Sequence, residues 1–528
     1  MPETRSHNNS ADCAIPRFQW VVCQLEVIVT CGSIGKLNRA LSSLPTSLDQ
    51  TYERILLAID QQQQQEAVTI LNWLTCSARP LKVKEVIEGV AMAAGDGLHL
   101  DTDERLRDAN ELLAICSSLV RINYPASQPL LHNNEDLAEI QLAHFSVKEY
   151  LTSNRIQNGA SKVYAIREPV TNLSIARTCI AYLLQLEYPD MLSQQTLQEY
   201  PLAKYSASYW VQHMRLGLNG KEDMEMDEIC LKLLLSKRKL HDSIQIYNPD
   251  TPWYEPLHES LTANVASPLY YACLTGLVGP VRYLLERNHE VNEKGGRYHT
   301  ALQAASVNGH TDIVRLLIAS GADVNCRGGF YGTALQACCV GGHIEVANEL
   351  LLAGSSAQEN CGFFGNSLQA ASYYGYKQLA QRILDSGAEV NAEGGHHVTA
   401  LHAASLEGQE AVVKLLLDAG ADVNASGAYY GAPLATASAR GHDSVVKLLA
   451  ASNAFLDAFG GRYGTALQTA AAKGHKTVVK TLIELGADIE VEAGKYGTAT
   501  QAAEVNHHFD IARMLQGPRV PHHQVANL

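Results

Sequence analysis

Basic residues are in short supply in this sequence, which has 41 Lys and Arg against 55 Asp and Glu and a formal net charge of -14 over 528 residues. An acidic chain repels phosphate groups, so we predict neither nucleic acid nor a membrane as the partner. The opening residues, MPETRSHNNSADCAIP, lack the apolar core of a secretory signal, and no segment reaches about 18 uninterrupted apolar residues. We therefore predict a protein that stays inside the cell.

Motifs of catalysis and cofactor binding are also missing. The twelve cysteines include no Cys-x-x-Cys pair, so we expect reduced, mostly buried thiols. Neither GxSxG nor HExxH occurs, and the nearest approach to a P-loop, residues 32–37, has the wrong spacing between its glycines. We interpret three histidine pairs as exposed loop residues: His396-His397, His507-His508 and His522-His523. We expect no enzymatic activity, metal, cofactor or small-molecule substrate.

A repeat with a period of 33 residues fills the second half of the chain. It is set by a column of leucines that ends in a threonine: Leu269, Leu302, Leu335, Leu368, Leu401, Leu434, Leu467 and Thr500. Self-similarity at a fixed period indicates stacked units that share one continuous core. We predict about eight units within residues 266–516, each with a hairpin, a short helix, a tight turn and a second helix.

The repeated text TALQAA, followed by Gly-His and by LLIASGADVN, resembles the ankyrin repeat, whose pattern begins TPLHxA. Glutamine mostly replaces the histidine of that pattern, which survives at His402. The resemblance implies an ankyrin-repeat α-solenoid that binds other proteins and has no catalytic role of its own. We therefore predict a mainly α fold.

The glutamine has a local explanation in the sequence. It stands three residues after a polar residue in five repeats: Thr300/Gln303, Thr333/Gln336, Asn366/Gln369, Thr465/Gln468 and Thr498/Gln501. This is the spacing of a capping box, in which each side chain bonds to a backbone amide of the other. Ala432-Pro433 lacks the polar cap, so we expect a weaker unit there, partly offset by proline at the first helical position.

The glycine-rich stretch GGRYGTALQTA, Gly460 to Ala470, has two interpretations. Glycines before a helix N-terminus are typical of phosphate-binding loops. The stretch returns at multiples of 33 residues, however, and its capping pair already occupies the amides that an anion would need. We therefore interpret it as a hairpin turn.

Upstream of the repeats the sequence changes character, with segments such as FQWVVCQLEVIV, LNRALSSLPTSLDQTYERIL and LAHFSVKEYLTS. Their order resembles the region that follows the nucleotide-binding domain of fungal NACHT-ankyrin proteins, of the signal-transduction NTPase class, and includes a winged-helix-like module. YPLAKYSASYWVQHMR resembles the helical connector before their repeats. The resemblance implies a helical and winged-helix-like region over residues 17–155 and a helical connector over 156–265. We expect a disordered start, residues 1–16, and a tail, residues 517–528.

Several local predictions can be made within these regions. We predict helices at Ser47–Ile59 and at Lys84–Ala91, and a strand at Ile140–Phe145 that leads into a helix at Val147–Leu151. The acidic stretch KEDMEMDE, residues 221–228, is interpreted as a loop. His144 and Ser146 are interpreted as packing and capping residues rather than a catalytic pair.

Each predicted hairpin tip carries two adjacent residues, which form two columns when the repeats are aligned. The two columns differ in how much their residues vary from repeat to repeat. The second is nearly uniform, so we interpret it as structural, with each ring packed on the next hairpin: Tyr298, Tyr331, Phe364, His397, Tyr430, Tyr463 and Tyr496. The first varies in charge and size, as a partner-reading surface should: Arg297, Phe330, Phe363, His396, Tyr429, Arg462 and Lys495.

The predicted protein-binding residues come from this first column and from an aromatic pair on a first helix, near the concave face if the solenoid curves as ankyrin arrays do. They are Arg297, Phe330, Phe363, Tyr373, Tyr374, Tyr429, Arg462 and Lys495. Self-packing of Phe330 and Phe363 is the alternative explanation for two of them.

These observations leave three hypotheses about function. The first is a non-enzymatic scaffold whose repeats recognise a protein partner in intracellular sensing or signalling. The second is the C-terminal sensor part of a longer NACHT-type NTPase switch, and the third is a substrate-recruiting adaptor of a modifying enzyme. We predict a cytoplasmic location, with the nucleus as the alternative.

Overall fold

The computed structural model describes residue 33 and residues 47–94, 100, 105–124, 138–187, 194–253, 265–427 and 429–517. The chain divides into two compact units, residues 1–263 and 264–528. The predicted disordered start, the segment FQWVVCQLEVIV, the P-loop-like residues other than Ser33, the tail after Gly517 and the pair His522-His523 lie outside the described residues.

The N-terminal unit is mainly helical, with a small sheet. The α-helices are Leu48–Leu57, Gln64–Cys76, Val83–Ala94, Ala109–Cys116, Phe145–Thr152, Asn154–Gln157, Glu168–Gln185, Gln194–Glu199, Ala203–Leu218, Met224–Leu235 and Lys237–Ile246. The strands are Leu81–Lys82, Val120–Asn123 and Glu139–Leu142. The third strand lies between the other two and is antiparallel to both. Helices with such a three-stranded sheet form the winged-helix domain of this unit.

Several local predictions for this unit are confirmed. Ser47 caps its helix by accepting a hydrogen bond from the Gln50 amide. A strand, Glu139–Leu142, leads into the helix Phe145–Thr152. His144 caps that helix, and Ser146 is buried and hydrogen-bonded to both His144 and Tyr52.

The prediction of a loop at residues 221–228 is wrong. Asp223 accepts hydrogen bonds from the Glu225 and Met226 amides, at 3.0 and 3.1 Å, and starts the helix Met224–Leu235. Acidic residues stabilise the first turn of a helix because they face its positive end. Met226 is fully buried, so the stretch is an amphipathic helix start rather than a solvated loop.

A close approach of two helices defines the core of the N-terminal unit. The helices Glu168–Gln185 and Ala203–Leu218 pack along each other. A Cβ atom at Gly217 would lie 2.5 Å from the Leu173 Cγ atom, so only glycine allows this approach. Tyr205, Trp210 and Met214 point into the same core.

Buried polar groups in this core are bonded to partners far away in the sequence. His213 is fully buried between the Tyr205 hydroxyl and the Asn172 carboxamide, at 2.7 Å from each. Because the Asn172 oxygen can only accept, His213 donates from Nδ1 and accepts the Tyr205 proton at Nε2. Burial lowers the pKa of His213 to about 4, so the ring is neutral at pH 7.

The second unit is a stack of eight helix pairs, which confirms the predicted repeat. We number the repeats 1 to 8. Their first helices are Pro268–Thr275, Ala301–Val307, Ala334–Gly341, Ser367–Tyr373, Ala400–Leu406, Pro433–Arg440, Ala466–Lys473 and Ala499–Val505. Their second helices are Val278–Glu286, Thr311–Ala319, Ile344–Leu352, Lys377–Asp385, Glu410–Asp418, Asp443–Ala451, Lys476–Leu485 and Phe509–Leu515. Short hairpins connect successive repeats.

All five predicted capping boxes are present, and the glutamines of repeats 2, 3, 4 and 7 do more than cap. In repeat 3, Gln336 Oε1 accepts from the Thr333 amide, while its Nε2 donates to the carbonyls of Glu359, Cys361 and Gly365 in the next hairpin. One side chain therefore caps a helix and joins two repeats. His402 makes the matching bond to the Gly431 carbonyl. Ala432 has no side-chain cap bond, as predicted.

The histidines at the turn between the two helices are also structural. His343 Nε2 lies 3.1 Å from the Val307 carbonyl of the preceding repeat, and His442 lies 3.0 Å from that of Leu406. His310 and His475 repeat the contact with Leu274 and Ala439. These bonds give the turn histidines a structural role, because each one joins a repeat to the preceding repeat.

Candidate protein-binding surface

We call the first column of the hairpins the tip row: Arg297, Phe330, Phe363, His396, Tyr429, Arg462 and Lys495. The backbone joins these residues directly. In the first run, the amides of Phe330, Phe363 and His396 each donate to the carbonyl of the preceding tip, at 3.0 to 3.2 Å. In the second run, Arg462 and Lys495 do the same at 3.0 and 3.1 Å. The tip row is therefore a pair of backbone ladders that presents one side chain per repeat.

Glycine makes this close stacking of hairpins possible. Gly461 has a φ of 65°, and a Cβ atom there would lie 2.2 Å from the backbone of Tyr430 in the preceding hairpin. Any larger residue would push the two tips apart. The stretch GGRYGTALQTA is thus a turn, and the capping box of Thr465 and Gln468 occupies the amides of the following helix.

The second column, here called the ring row, stacks as predicted. Consecutive ring centroids lie 5.7 Å apart for Tyr298 and Tyr331, and 6.4 Å apart for Tyr331 and Phe364. In the later repeats Tyr430, Tyr463 and Tyr496 stack at 6.0 and 5.9 Å. The ring row is a structural support directly beneath the tips.

The tip row also packs on itself, which was the alternative explanation for Phe330 and Phe363. The Arg297 guanidinium lies 4.2 Å from the centre of the Phe330 ring. Phe330 stacks on Phe363 at 5.6 Å, and Phe363 stacks on His396 at 5.5 Å. The packing is incomplete, because Phe330 is still 39% exposed and Phe363 43%. Self-packing orients these rings without hiding them.

The aromatic pair of repeat 4 extends this surface onto a first helix. Tyr373 and Tyr374 lie 5.4 and 5.6 Å from the Phe364 ring of the same repeat. Tyr376 stacks on Tyr374 at 6.0 Å, and both are more than a third exposed. Sequence reasoning did not single out Tyr376, although it stands in the column of turn histidines. Repeats 3 and 4 therefore carry a cluster of aromatic rings that remains partly exposed.

His397 replaces a tyrosine or phenylalanine in the ring row. It is buried beneath this cluster, so the prediction that it is an exposed loop residue is wrong. It stacks on Tyr373 at 4.8 Å, and its Nε2 atom has no hydrogen-bond partner in the described structure. Burial, assisted by His396 and His402, lowers the pKa of His397 to about 4. The ring is a neutral packing group rather than a metal ligand.

Cations replace phenylalanine on the tips of the last repeats. Arg462 Nη1 donates to the Tyr429 hydroxyl at 3.2 Å, and Lys495 Nζ donates to the Tyr496 hydroxyl at 3.3 Å. Lys473 Nζ lies 4.9 Å from the centre of the Tyr463 ring. Lys473 was missed in the sequence, although it stands 99 positions after Tyr374 and so in the same column of the first helices.

The described residues offer little that would support catalysis. No group of three or more His, Cys, Asp or Glu among them could hold a metal ion. The N-terminal unit has a polar cavity of about 380 Å³, whose lining includes Asn72, Thr171 and the ion pair of Arg177 with Glu225. His144 and Ser146 lie 2.7 Å apart, but Ser146 is buried and also bonded to Tyr52.

Comparison with known families identifies the repeats. The sequence pattern of the family described as ankyrin repeats, in three copies, matches residues 226–328, 269–361, 334–427 and 434–521, together more than half of the chain. This chain is an ankyrin-repeat protein. A second family, described as the winged helix domain of GPI inositol-deacylase, matches residues 52–167. The ankyrin fold is typically non-enzymatic and supports a role as a protein-interaction scaffold.

Two known proteins illustrate the similarity. A Monascus ruber protein named "Azaphilone pigments biosynthesis cluster protein L" is 33% identical over 298 residues, which cover 53% of this chain and 60% of that protein. The chain thus spans less than two thirds of that relative. The human ASB11 ankyrin repeat domain matches at 26% identity with a TM-score of 0.38, over 42% of this chain and 99% of the human domain.

None of the described helices of the ankyrin-repeat protein is long and apolar enough to cross a membrane.

Proposed function

We propose that this ankyrin array recognises a protein partner through the tip row and the adjoining aromatic pair of repeat 4. The residues proposed to make the contact are Arg297, Phe330, Phe363, Tyr373, Tyr374, Tyr429, Arg462 and Lys495. The observation that carries this proposal is the exposure of large aromatic side chains that the fold holds in fixed positions: Phe330 at 39%, Phe363 at 43% and Tyr429 at 57%.

Preorganisation makes such a surface suitable for binding. A partner that covers aromatic and arginine side chains gains most of its binding free energy from them. The stacked rings and the backbone ladder fix the rotamers beforehand, so less conformational entropy is lost on association. The remaining exposed area is what a partner would bury.

The test is affinity capture from the native cell, with quantitative mass spectrometry of the bound proteins. The full chain is compared with a variant that carries Phe330→Ala, Phe363→Ala and Tyr429→Ala. We expect the variant to lose its specific partner, because each lost aromatic contact at the centre of an interface costs about 2 kcal/mol or more. Unchanged capture by a correctly folded variant would contradict the proposal.

A matched control is available in the same repeats. Phe455 is 67% exposed and lies in the loop after the second helix of repeat 6, away from the tip row. Phe455→Ala removes a comparable exposed ring and should leave capture unchanged. The control separates loss of the tips from a general loss of surface apolarity.

A second, wider proposal concerns the context of this binding. We propose that the chain acts as the sensor part of a NACHT-type NTPase switch in the cytoplasm. The support is the order of a winged-helix domain followed by ankyrin repeats, together with the resemblance of the upstream segments. Mapping of transcripts upstream of Met1 tests this proposal. An in-frame P-loop sequence is expected, and a stop codon directly upstream in every transcript would contradict it.

A further inference from the structure

The tips of repeats 6 to 8 differ in chemistry from those of repeats 3 and 4. The earlier tips carry the uncharged rings of Phe330 and Phe363. The later tips carry Tyr429 followed by the cations Arg462 and Lys495, and Lys473 ends the first helix of repeat 7. All three cations are exposed. They form a local positive patch on a chain whose net charge is -14.

The patch is compact because its members are tied to adjacent hairpins. The Lys495 amide donates to the Arg462 carbonyl at 3.1 Å, and the rings of Tyr463 and Tyr496 beneath them stack at 5.9 Å. Lys473 Nζ lies over the Tyr463 ring, in the middle of this group. Each of the three positive charges thus contacts a tyrosine: Arg462 contacts Tyr429, Lys473 contacts Tyr463, and Lys495 contacts Tyr496.

Several cations on the second helices of the repeats are paired with carboxylates, whereas the three cations of the patch are not. Ion pairs on the second helices join Arg315 to Asp312 and Glu349, Lys447 to Asp443, and Lys476 to Asp510, at 2.7 to 3.0 Å. Among the described residues, Arg462, Lys473 and Lys495 have no carboxylate within ion-pair distance. Their contacts are tyrosine rings and hydroxyls, which fix the side chains and leave the charge unpaired.

The influence of the surroundings on the pKa values agrees with the geometry. A hydrogen bond to Tyr429 is the largest cause that raises the pKa of Arg462, and one to Tyr463 is the largest for Lys473. The other groups that raise the pKa of Arg462 and of Lys473 are also tyrosines. An unpaired, oriented guanidinium retains free N–H donors for a carboxylate.

We propose that this patch binds an acidic, extended segment of the partner protein, in which side-chain carboxylates pair with Arg462, Lys473 and Lys495 and the neighbouring side chains lie against Tyr429 and Tyr463. The inference rests on the proposed function and adds the chemistry of the partner. Repeats 3 and 4 supply apolar contact, and repeats 6 to 8 select for negative charge and steer the approach of the segment.

The experiment is fluorescence anisotropy with the full chain and a short labelled peptide in which Glu alternates with Ala. A peptide with Gln in place of Glu and an oligothymidylate of equal net charge serve as the comparison probes. We expect the Glu peptide to bind more tightly than either. Because the contact is electrostatic, its affinity should fall when salt is raised.

The decisive variant carries Arg462→Glu and Lys495→Glu, and its binding of the Glu peptide should weaken by about tenfold or more. Lys414→Glu, an exposed change on the second helix of repeat 5, introduces an acidic charge away from the patch and should leave the affinity within about twofold. A variant with Arg462→Gln and Lys495→Gln should be intermediate, because it removes the two charges without reversing them.

Two results would overturn the inference. The first is equal binding of the Glu peptide by the wild-type chain and the Arg462→Glu, Lys495→Glu variant. The second is oligothymidylate binding as tight as that of the peptide, which would indicate a general polyanion site. Either failure leaves the capture experiment with Phe330, Phe363 and Tyr429 unaffected, so it can be told apart from failure of the proposed function.

Discussion

The two units of this molecule are stabilised by contacts of different reach along the chain. In the N-terminal unit, polar contacts join residues with no regular spacing: Tyr182 to Glu88 across 94 positions, Ala78 to Tyr205 across 127, and His213 to Asn172 across 41. In the repeats, the same contact recurs at a fixed separation, such as 29 positions from each bridging glutamine and 36 from each turn histidine.

This difference predicts how far the destabilising effect of a substitution extends through each unit. A contact that closes a long loop supports many others, so its loss should destabilise the whole N-terminal unit. A repeat contacts only its neighbours, so stability in the array is close to a sum of local terms. The same property lets the tip row be aromatic in repeats 3 and 4 and cationic in repeats 7 and 8 without disturbing the fold beneath it.

The largest expected effect comes from Glu85→Ala in the N-terminal unit. Glu85 is 3% exposed and accepts two hydrogen bonds from Arg79, at 2.8 and 2.6 Å, and one from the Lys82 amide at 2.8 Å. Its loss leaves unpaired a partly buried guanidinium that lies 5.1 Å from the centre of the distant Tyr205 ring, at a cost of about 3 kcal/mol. Hydrogen exchange followed by mass spectrometry should show weaker protection throughout residues 47–246.

A surface ion pair provides the control for this experiment. Lys148 and Glu168 lie 3.9 Å apart and are both about half exposed. Glu168→Ala should therefore cost well under 1 kcal/mol. Loss of protection confined to the residues next to Glu85 would contradict the idea that the N-terminal unit responds as a whole.

The next effect comes from Gln336→Ala in repeat 3. The change removes the capping box and the donor to three carbonyls of the next hairpin, so we expect a cost of about 2 to 3 kcal/mol. Protection should fall in repeats 3 and 4 and recover beyond them. Gln336→His introduces the residue that repeat 5 has at the matching position, His402. This variant should keep much of the stability that Gln336→Ala loses.

Gln501 in repeat 8 is the matched comparison. It forms the same capping box with Thr498, and the described structure shows no bond from it to another hairpin. Gln501→Ala should therefore cost only about 1 kcal/mol. Equal effects at Gln336 and Gln501 would show that the bonds between repeats contribute little.

The third effect is a loss of stability in mild acid. His213 and His397 have pKa values of about 4 when folded and about 6.5 when unfolded, so the unfolded chain binds more protons between these values. Stability should fall as the pH falls through this range, by about 2 kcal/mol per histidine between pH 7 and 5. Hydrogen exchange at both pH values measures the effect in each unit separately.

A single substitution can reduce this dependence of stability on pH in one unit without changing it in the other. His397→Tyr introduces the residue found at most positions of the ring row and removes the unpartnered Nε2 atom. The repeats should then lose part of their response between pH 7 and 5, because burial also lowers the pKa of His402 there, while the N-terminal unit keeps its own response. If the response of the repeats to pH is unchanged in this variant, groups other than His397 must cause it.

The repeats could be predicted from the sequence more completely than the N-terminal unit. The period, the helix pairs, the five capping boxes and the stacked ring row could be predicted because each feature recurs at a fixed spacing. The acidic stretch before Met224 was misjudged because its composition suggests a loop, and only the buried Met226 reveals a helix. The distant partners of Glu88 and His213 carry no signature in the sequence, since nothing periodic links them.

The candidate surface could be predicted only in part, because its geometry depends on how the repeats are spaced in three dimensions. The tip row stands out by its variation, but its stacking and backbone ladder depend on how closely the hairpins approach, which the positive φ of each tip glycine allows. The bond from Gln336 to the next hairpin likewise needs the three-dimensional spacing of the repeats. Local sequence rules identified the cap and missed the second role of the same side chain.

The smallest expected effect is a gain in stability in repeat 6. Its first helix begins after Ala432, which cannot cap, and Ala435 stands where other repeats have the glutamine. Ala432→Thr with Ala435→Gln should create the missing capping box and stabilise the repeat by about 1 kcal/mol, seen as slower exchange in repeats 6 and 7. Ala432→Thr alone should give about half of the gain, since the bond to the next hairpin needs the glutamine. If neither variant slows exchange, Pro433 at the first helical position already compensates for the missing cap.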